Sequence, residues 1–554
     1  MTDQSTLSTR PLPQPSLSTR EYWTSGEDGT LRVSQCGDCG QRMMPPLPIC
    51  SSCRGRDISM QGVSGRGTVA AFSINAQAWL PSFPPPYVVA IIALDEDDSV
   101  RITTNVVNCD VTDVHIGQRV RVLFEQADDV WIPLFEPDPD AAGEPGPVPE
   151  PRDYKKALRP MASPHKFEDK VAITGVGQSR IGRRLMVDPL SLTMDAALQA
   201  IADAGLTPED IDGLSTYPGP GLDGMTEGGV TAVEEALRIH PVWVNGASET
   251  PGQNGSIITA MMAVASGLVR HVLCFRTVWQ ASLAGMERGG QWHPSSERAK
   301  GMMEFRLPYG AVSATNWIGM QANHYLWRYG ADREVLGHIA VNTRANAGRN
   351  PEAVYRDPIT MDDYLNARMV STPLGLYDCD VPVDGAIAFV ISAVETAKDA
   401  PRPPVLVEAV GTQIMERVSW DQDTLTHLPQ SLGPSAHLWS RTDLTQDDVD
   451  VALLYDGFTF NALSWLEGLG FCELGGATDF IDGGRGIALD GGRLPLNPHG
   501  GQLSAGRMHG YGFVREAVLQ LRGEATGRQV EGAQVAVSTA GGGIPSGAML
   551  LRRG

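Results

Sequence analysis

The sequence has no long apolar run. Its most hydrophobic stretch, residues 257–269, is interrupted by Ser266 and Gly267 and falls short of the roughly 20 residues needed to cross a bilayer. It reads as a buried helix, so no membrane span is expected. The opening MTDQSTLSTRPLPQPSLSTR lacks an apolar centre, so no signal peptide is expected and the chain is expected to be soluble and cytoplasmic. Positive charge is also short: 44 basic against 65 acidic residues give a net charge of −21. Such a surface repels phosphate backbones, and aromatic residues at 6% are too sparse to stack bases, so no nucleic-acid partner is expected. Cysteine is scarce, eight in 554 residues, and four of the eight fall between Cys36 and Cys53. That is a cluster and not a disulfide framework. What is present is apolar mass. Hydrophobic residues at 42% and charged residues at 20% exclude wholesale disorder, and the length implies more than one domain.

Composition divides the chain into four parts. Residues 1–20, rich in Ser, Thr, Pro and Gln, are expected to be a disordered tail. Residues 21–137 carry Tyr22 and Trp23, then the cysteine cluster, then strand-like runs such as GTVAAF, YVVAIIAL and RVRVLF separated by Gly, Pro and Asp turns. Short strands of this kind predict a small barrel or sandwich. Residues 138–166 hold Pro139, Pro145, Pro147, Pro149, Pro151, Pro160 and Pro164, a density that predicts a semi-rigid linker. Residues 167–554 read as one large α/β unit. The strand VAITGVG at 171–177 leads to a helix over about residues 191–204, with Leu192, Met194, Ala197, Leu198 and Ile201 on one face, and alternation continues to the glycines at 541–543. Within this unit LTPEDID at 206–212 is echoed by LTQDDVD at 444–450, an offset of 238 residues, and each copy precedes a strand-like segment. Two similar α/β halves are the simplest reading; a chance match of acidic helix-start chemistry is the alternative.

The sharpest local pattern is Cys36-x2-Cys39-x10-Cys50-x2-Cys53. Each Cys-x2-Cys knuckle aims two thiolates at one point, and two knuckles complete a tetrahedral sulfur site suited to Zn²⁺. Four thiolates leave no open coordination position, so the metal is structural and substitutes for a core in a small loop-rich segment. An iron site shares this geometry, and a ribbon without metal is the other alternative. Cys109, Cys274, Cys379 and Cys472 are scattered and read as buried hydrophobes.

Tyr22-Trp23, CGDCG, PPLPICSSC, GRGTVAAFS, PPYVVAIIALDE and IGQRVRVLFE together resemble the zinc-ribbon/OB-fold family that accompanies acyl-CoA enzymes. The resemblance implies a role beside thiolase-like or hydratase subunits, including a MaoC-type hydratase, and a part in a CoA-ester channel. From Lys170 onward, KVAITGVGQSRIG, CDVPVDGA at 379–386, LLYDGFTFNALSWLEGLGF at 453–471 and NPHGGQLSAGRMHGYG at 497–512 resemble the thiolase superfamily, closest to the sterol-carrier-protein thiolase branch. This implies an α/β thiolase-like fold of two similar βαβαββ halves in five layers, preceded by a small all-β zinc-ribbon plus OB-fold domain. It also implies a homodimer through the thiolase-like unit.

The departures from a thiolase define the expected chemistry. A thiolase needs a nucleophilic Cys at a strand-to-helix turn, an activating His and a second Cys. The turn falls near VNGAS at 244–248, where Ala247 or Ser248 stands. The His of the Gly-His-Pro motif falls on Arg507, the second Cys would fall near STAG at 538–541, and the His-Asp-Cys-Phe box reads Tyr455-Asp456-Gly457-Phe458. Chemistry through a Cys-linked thioester is therefore excluded. These substitutions resemble the steroid side-chain-cleaving aldolases, which implies retro-aldol cleavage of a β-hydroxyacyl-CoA with a steroid or similar bulky side chain. The products are a ketone and a short acyl-CoA; the CoA thioester is the substrate and no redox cofactor is implied. The catalytic candidates are Tyr455 as base, Arg507 as the cation that lowers its pKa, and His509 as a second titratable group. Ser248, Asp456, Tyr377 and His499 are the candidate substrate contacts, with Asp380 beside Tyr377 in LYDCD, and Tyr511 close by in sequence. The aldolase branch commonly has a tyrosine where Arg507 stands, so this chain departs from a two-tyrosine scheme. Asp384-Gly385-Ala386 reads as a tight turn before a strand. Two other functions fit the sequence: an acyltransferase using Ser248 as nucleophile, and a non-catalytic CoA-ester scaffold for a hydratase.

Overall fold

The computed structural model describes residues 10–80, 83–141, 143, 145–149, 158–219, 228–286, 298–415, 417, 421, 424–427, 429–541 and 546–554. Residues 1–9 of the expected tail, Pro151 of the expected linker, and Gly542 and Gly543 lie outside the described residues.

The N-terminal unit is all-β. Strand β1 (Arg32–Cys36) pairs antiparallel with β2 (Arg42–Met43) and β3 (Ile58–Gly62), forming the ribbon that presents the cysteines. Strands β4 (Arg66–Asn75), β5 (Tyr87–Leu94), β6 (Asp97–Thr104), β7 (Arg119–Ala127) and β8 (Val130–Pro137) follow. β4 pairs with both β5 and β7, β5 pairs with β6, and β7 with β8. The Val107 N–H donates to Phe135 O at 2.8 Å and the Phe135 N–H to Asn105 O at 3.0 Å, which ties the chain after β6 to β8 and closes a barrel. Tyr22 and Trp23, on the short helix Arg20–Thr24, fill its core with Val69, Ile92, Ile102, Val120 and Ile132. Residues 10–19 depart from the expected disordered tail. Arg10 reaches the barrel, donating to Glu125 at 2.9 Å, to Asn105 Oδ1 at 2.6 Å and to Pro308 O at 3.0 Å. Three acceptors around one partly buried cation hold this segment in place.

In the large unit the strands are β9 (Val171–Gln178), β10 (Gly213–Thr216), β11 (Trp243–Asn245), β12 (His271–Trp279), β13 (Met369–Ser371), β14 (Leu374–Gly375), β15 (Asp384–Ala393), β16 (Val405–Gly411), β17 (Val451–Leu453), β18 (Val535–Ala540) and β19 (Gly547–Arg553). Nine of them form one sheet in the order β11-β10-β12-β15-β9-β16-β19-β18-β17. Read outward from the β9/β16 centre, β9-β15-β12-β10 and β16-β19-β18-β17 follow the same topological path, as two similar halves require. The repeat seen in the sequence has the same job in both halves. Asp210 accepts from the Thr207 N–H and hydroxyl, and Asp448 accepts from the Thr445 N–H and hydroxyl, capping a short turn before β10 and β17. Asp212 accepts from the Arg270 and His271 N–H groups at the start of β12, and Asp450 from the Gln534 and Val535 N–H groups at the start of β18. The predicted helix after β9 spans Pro189–Asp203, capped by Asp188 accepting from the Ser191 N–H at 3.1 Å. Helices Gly255–Ala265 and Gly510–Arg522 are buried on most of their faces and form the middle of the unit. Asp384-Gly385-Ala386 is not a turn but the start of β15. The buried Asp384 carboxylate accepts from the Ser282 N–H and hydroxyl and from the Leu185 N–H, which joins the helix Gln280–Met286 and the loop at Leu185 to the strand.

The two units are interlocked. The hairpin β13–β14 of the large unit extends the barrel sheet: Ser371 pairs with Asn75 of β4, the Ala76 N–H donates to Val370 O and the Thr372 N–H to Ile74 O, both at 3.0 Å. Asn105 donates to Val88 O at 2.7 Å and to Tyr309 O at 2.9 Å, and Phe305 and Tyr309 complete the barrel core. Among the described residues no helix is long and apolar enough to cross a membrane.

Candidate active site

The metal site is complete in its ligands. The Sγ atoms of Cys36 and Cys53 lie 3.6 Å apart, those of Cys39 and Cys50 3.5 Å apart, and all four lie within 4.8 Å of one another. A tetrahedron with metal–sulfur bonds of about 2.3 Å has edges of about 3.8 Å, so the four thiolates fit Zn²⁺. The Ser52 N–H points at Cys50 Sγ and the Gly55 N–H at Cys53 Sγ, each at 3.4 Å, which orients the knuckles.

The Tyr455-Asp456-Gly457-Phe458 box leaves the end of β17. The Tyr455 N–H donates to Thr539 Oγ1 at 2.8 Å, so the segment where a thiolase has its second Cys supports the tyrosine. The Tyr455 ring lies over Gly457, where an added Cβ would meet it at 2.8 Å. Burial pushes the Tyr455 hydroxyl above its usual range and the charge of Asp380 adds to this; Arg507 opposes both without reversing them. The expected lowering by Arg507 is therefore corrected: Tyr455 is a neutral phenol. Asp456 is also corrected as a substrate contact. It is wholly buried and turned inward, accepting from the Gln502 N–H at 2.7 Å and from Asn497 Nδ2 at 3.1 Å. Burial lifts its carboxyl to about 8. Gly501, at φ 55°, passes so close that an added Cβ would lie 1.8 Å from Asp456 Oδ2, which is why the loop at 500–502 needs glycine there.

His509 caps the helix Gly510–Arg522 with positive φ. Its Nδ1 is hydrogen-bonded to Nη2 of Arg276, a buried arginine in the middle of β12. A guanidinium can only donate, so Nδ1 accepts and the ring proton sits on Nε2. Burial, with the charges of Arg276 and Arg507, holds the imidazole well below its ordinary pKa. His509 is thus a fixed neutral donor and not a base near neutrality. Arg276 is brought down to about 10 by burial; it also donates to Tyr217 O and lies 5.2 Å from the Tyr217 ring. Tyr511 adjoins this cluster through the charge of Arg276, and its hydroxyl lies 2.8 Å from Ser256 Oγ.

Arg507 pairs with Asp380 at 3.2 Å and donates to Gln280 Oε1. Asp380 is held by its own N–H, which donates to Gly457 O at 3.1 Å, so the LYDCD segment is clamped against the tyrosine box. Burial raises the Asp380 carboxyl to about 6 against the pull of Arg507. Tyr455, Arg507, Asp380, Arg276 and His509 thus form one electrostatic cluster. The other expected contacts lie apart from it. His499 packs its ring edge 5.4 Å from the centre of Phe513, with Nδ1 lacking a partner and its pKa brought to about 4 by burial. Tyr377 stands in a neighbouring cavity, 5.6 Å from the Arg344 guanidinium. Ser248 is exposed and has no hydrogen bond to any residue of the cluster. Burial raises the thiols of Cys109, Cys274, Cys379 and Cys472, so none is a ready thiolate.

Known proteins resemble this chain in sequence and fold. A steroid side-chain-cleaving aldolase of Thermomonospora curvata is 35% identical over 389 residues, which is 69% of this chain and 97% of that protein. The chain belongs to the steroid side-chain-cleaving aldolase family. A second member, the 17-hydroxy-3-oxo-4-pregnene-20-carboxyl-CoA lyase of Mycobacterium tuberculosis, is 35% identical over 69% of this chain and 99% of its own length. The solved structure of an Ltp2-ChsH2(DUF35) aldolase superposes with a TM-score of 0.61 at 32% identity, covering 70% of this chain and 98% of that one. Family models match residues 417–551 as a thiolase C-terminal domain-like region, 61–125 as the ChsH2 C-terminal OB-fold domain and 23–59 as the ChsH2 rubredoxin-like zinc ribbon. The thiolase-like fold, the OB barrel and the structural zinc ribbon expected from the sequence are therefore all present in this aldolase.

Arg276, Gln280 and Thr539 were not singled out by the sequence. The signal for Arg276 is visible in hindsight. HVLCFRTVW places one arginine inside a strand otherwise apolar enough to be fully buried, and a charge there needs a partner. Nothing local marks Gln280, and Thr539 was marked only as part of the STAG segment at 538–541.

Proposed function

We propose that this aldolase cleaves the Cα–Cβ bond of a β-hydroxyacyl-CoA carrying a steroid-like or similarly bulky side chain. The observation that carries the proposal is the pairing of two opposed devices at one place: a proton-accepting cluster and a fixed donor. Tyr455 takes the β-hydroxyl proton while Asp380, held by Arg507, accepts the phenol's own proton. The Cα–Cβ electron pair then moves onto the thioester as an enolate, the β-carbon leaves as a ketone, and protonation at Cα gives the short acyl-CoA. The Nε2–H of His509, locked by Arg276, is the donor for the enolate oxygen. No covalent enzyme intermediate is required, in keeping with raised thiols and an exposed Ser248. The names of the two relatives, an aldolase and a carboxyl-CoA lyase, support the same reaction class. The experiment is incubation with a tertiary β-hydroxyacyl-CoA, following ketone and short acyl-CoA by mass spectrometry. A folded protein that turns over no such ester overturns the proposal.

The assembly we propose is a cytoplasmic homodimer. Among the described residues edge strand β11 pairs with β10 alone, and Val244 within it and Val242 just before it are 51% and 65% exposed. An apolar open edge of this kind invites pairing with a second copy, and light scattering measures it directly. A MaoC-type hydratase that supplies the β-hydroxyacyl ester is the proposed external partner, testable by co-purification.

A further inference from the structure

Beside Asp380 opens a cavity of about 360 Å³ whose wall includes Arg183, Arg344, Tyr355, Tyr377 and Leu503. Arg344 is only 9% exposed. Its Nε donates to Ser504 Oγ at 2.8 Å and its Nη1 to Asp357 O at 3.4 Å, while its guanidinium lies 5.3 Å from the Tyr355 ring. Arg183, exposed at the mouth, donates to the Tyr355 hydroxyl and lies 5.9 Å from the same ring. The phenol is thus flanked by two cations. Three other arginines of low exposure hold carboxylates, Arg441 with Glu168, Arg522 with Asp203 and Arg528 with Glu516, whereas the buried Arg276 is held by His509 and the Tyr217 carbonyl. Arg183 and Arg344 hold none among the described residues. Asp357 is exposed; its backbone carbonyl accepts from Arg344 and its charge acts on that arginine without a salt bridge. Asp380, the carboxylate on the cavity wall, is engaged by Arg507. In a chain of net charge −21, two arginines that form no salt bridge among the described residues meet at one cavity. The almost buried Arg344, on which apart from the tyrosines only the charge of exposed Asp357 acts, gains from an anion that joins them.

We propose that this cavity is an anion subsite that receives a phosphate or carboxylate group of the acyl-CoA ligand. Arg344 makes the inner contact and Arg183 the outer one. Planar guanidinium donors against tyrosine faces suit oxyanions that accept two bonds at once. The assignment of the ligand as an acyl-CoA rests on the proposed function; the anion site itself does not.

Calorimetric titration of the full chain with inorganic pyrophosphate, succinate, CoA and pantetheine tests it, using wild type, Arg183→Gln and Arg344→Gln. The expected result is that each variant binds the recognised anion about tenfold more weakly or worse. If the phosphates of CoA are the source, CoA weakens with pyrophosphate while pantetheine does not. If a carboxylate on the acyl tail is the source, succinate weakens while CoA is unchanged. Arg183 is exposed, so Arg183→Gln remains informative if loss of Arg344 disturbs the fold. Equal binding of every anion by all three proteins, or none by wild type, overturns the subsite. Anion binding that depends on both arginines in a protein without lyase turnover keeps the subsite and removes the proposed function instead.

Discussion

Arg276 donates to Nδ1 of His509, and this one bond decides what the histidine does. A neutral imidazole whose Nδ1 accepts from a guanidinium keeps its proton on Nε2. His509→Ala is expected to lower kcat by about 10²–10³-fold with a small change in KM, as for removal of one oxyanion donor. Proton-detected NMR of labelled histidine should show the Nε2–H tautomer persisting below pH 6; a ring that titrates near 6.5 overturns the assignment.

Asp380 supplies the expected pH dependence. Its carboxyl is raised to about 6 by burial, so it is ionised and paired with Arg507 above that pH and loses the pair as pH falls through it. Activity is expected to decline on the acid side with an apparent pKa near 6. Asp380→Asn should abolish that limb together with most of the rate, whereas a variant that retains the limb assigns it to another group.

Tyr455→Phe removes the hydroxyl and keeps the ring contact with Phe513, 6.0 Å between centres. A loss of kcat of about 10²-fold or more with unchanged thermal stability is expected. Full activity in the phenylalanine variant removes tyrosine from the mechanism.

The duplicated aspartates offer a symmetrical stability test. Asp212→Ala and Asp450→Ala each strip the carboxylate from two strand-start N–H groups. Each is expected to cost about 1–3 kcal/mol, read as a shift in urea midpoint at unchanged slope. Widely different costs would show that the halves are alike in chain path but not in energetics.

Zinc holds the ribbon. One equivalent of zinc by elemental analysis is expected, and Cys39→Ser or prolonged chelation should unfold residues around β1–β3 first, seen as faster hydrogen exchange there than in the large sheet. Protection that is unchanged without metal contradicts a structural role.

Much of this molecule was legible in sequence because the relevant signals were local. Cysteine spacing, short apolar strand runs between turn residues and a capped Thr-x-x-Asp repeat depend on neighbours a few residues away, and each reappears as geometry. The errors came from long-range burial. Arg507 stands in the motif as a cation beside a tyrosine, but the depth of the site and Asp380, 75 residues earlier in the chain, set the tyrosine's proton affinity. Asp456 sits in the box yet points inward, because the loop at 500–502 folds over it. Arg276 and His509 meet across 233 residues, a pairing that no local pattern encodes.

The hairpin β13–β14 completing the barrel sheet has a consequence for how such an enzyme can be made. A barrel that borrows two strands and two aromatic residues from its neighbour cannot be pruned off at the proline-rich segment without exposing an open sheet edge on one piece and Phe305 and Tyr309 on the other. Carrying both on one polypeptide fixes their stoichiometry at one to one and replaces a concentration-dependent encounter with an intramolecular one. Dilution, which separates a two-chain assembly, leaves this one whole.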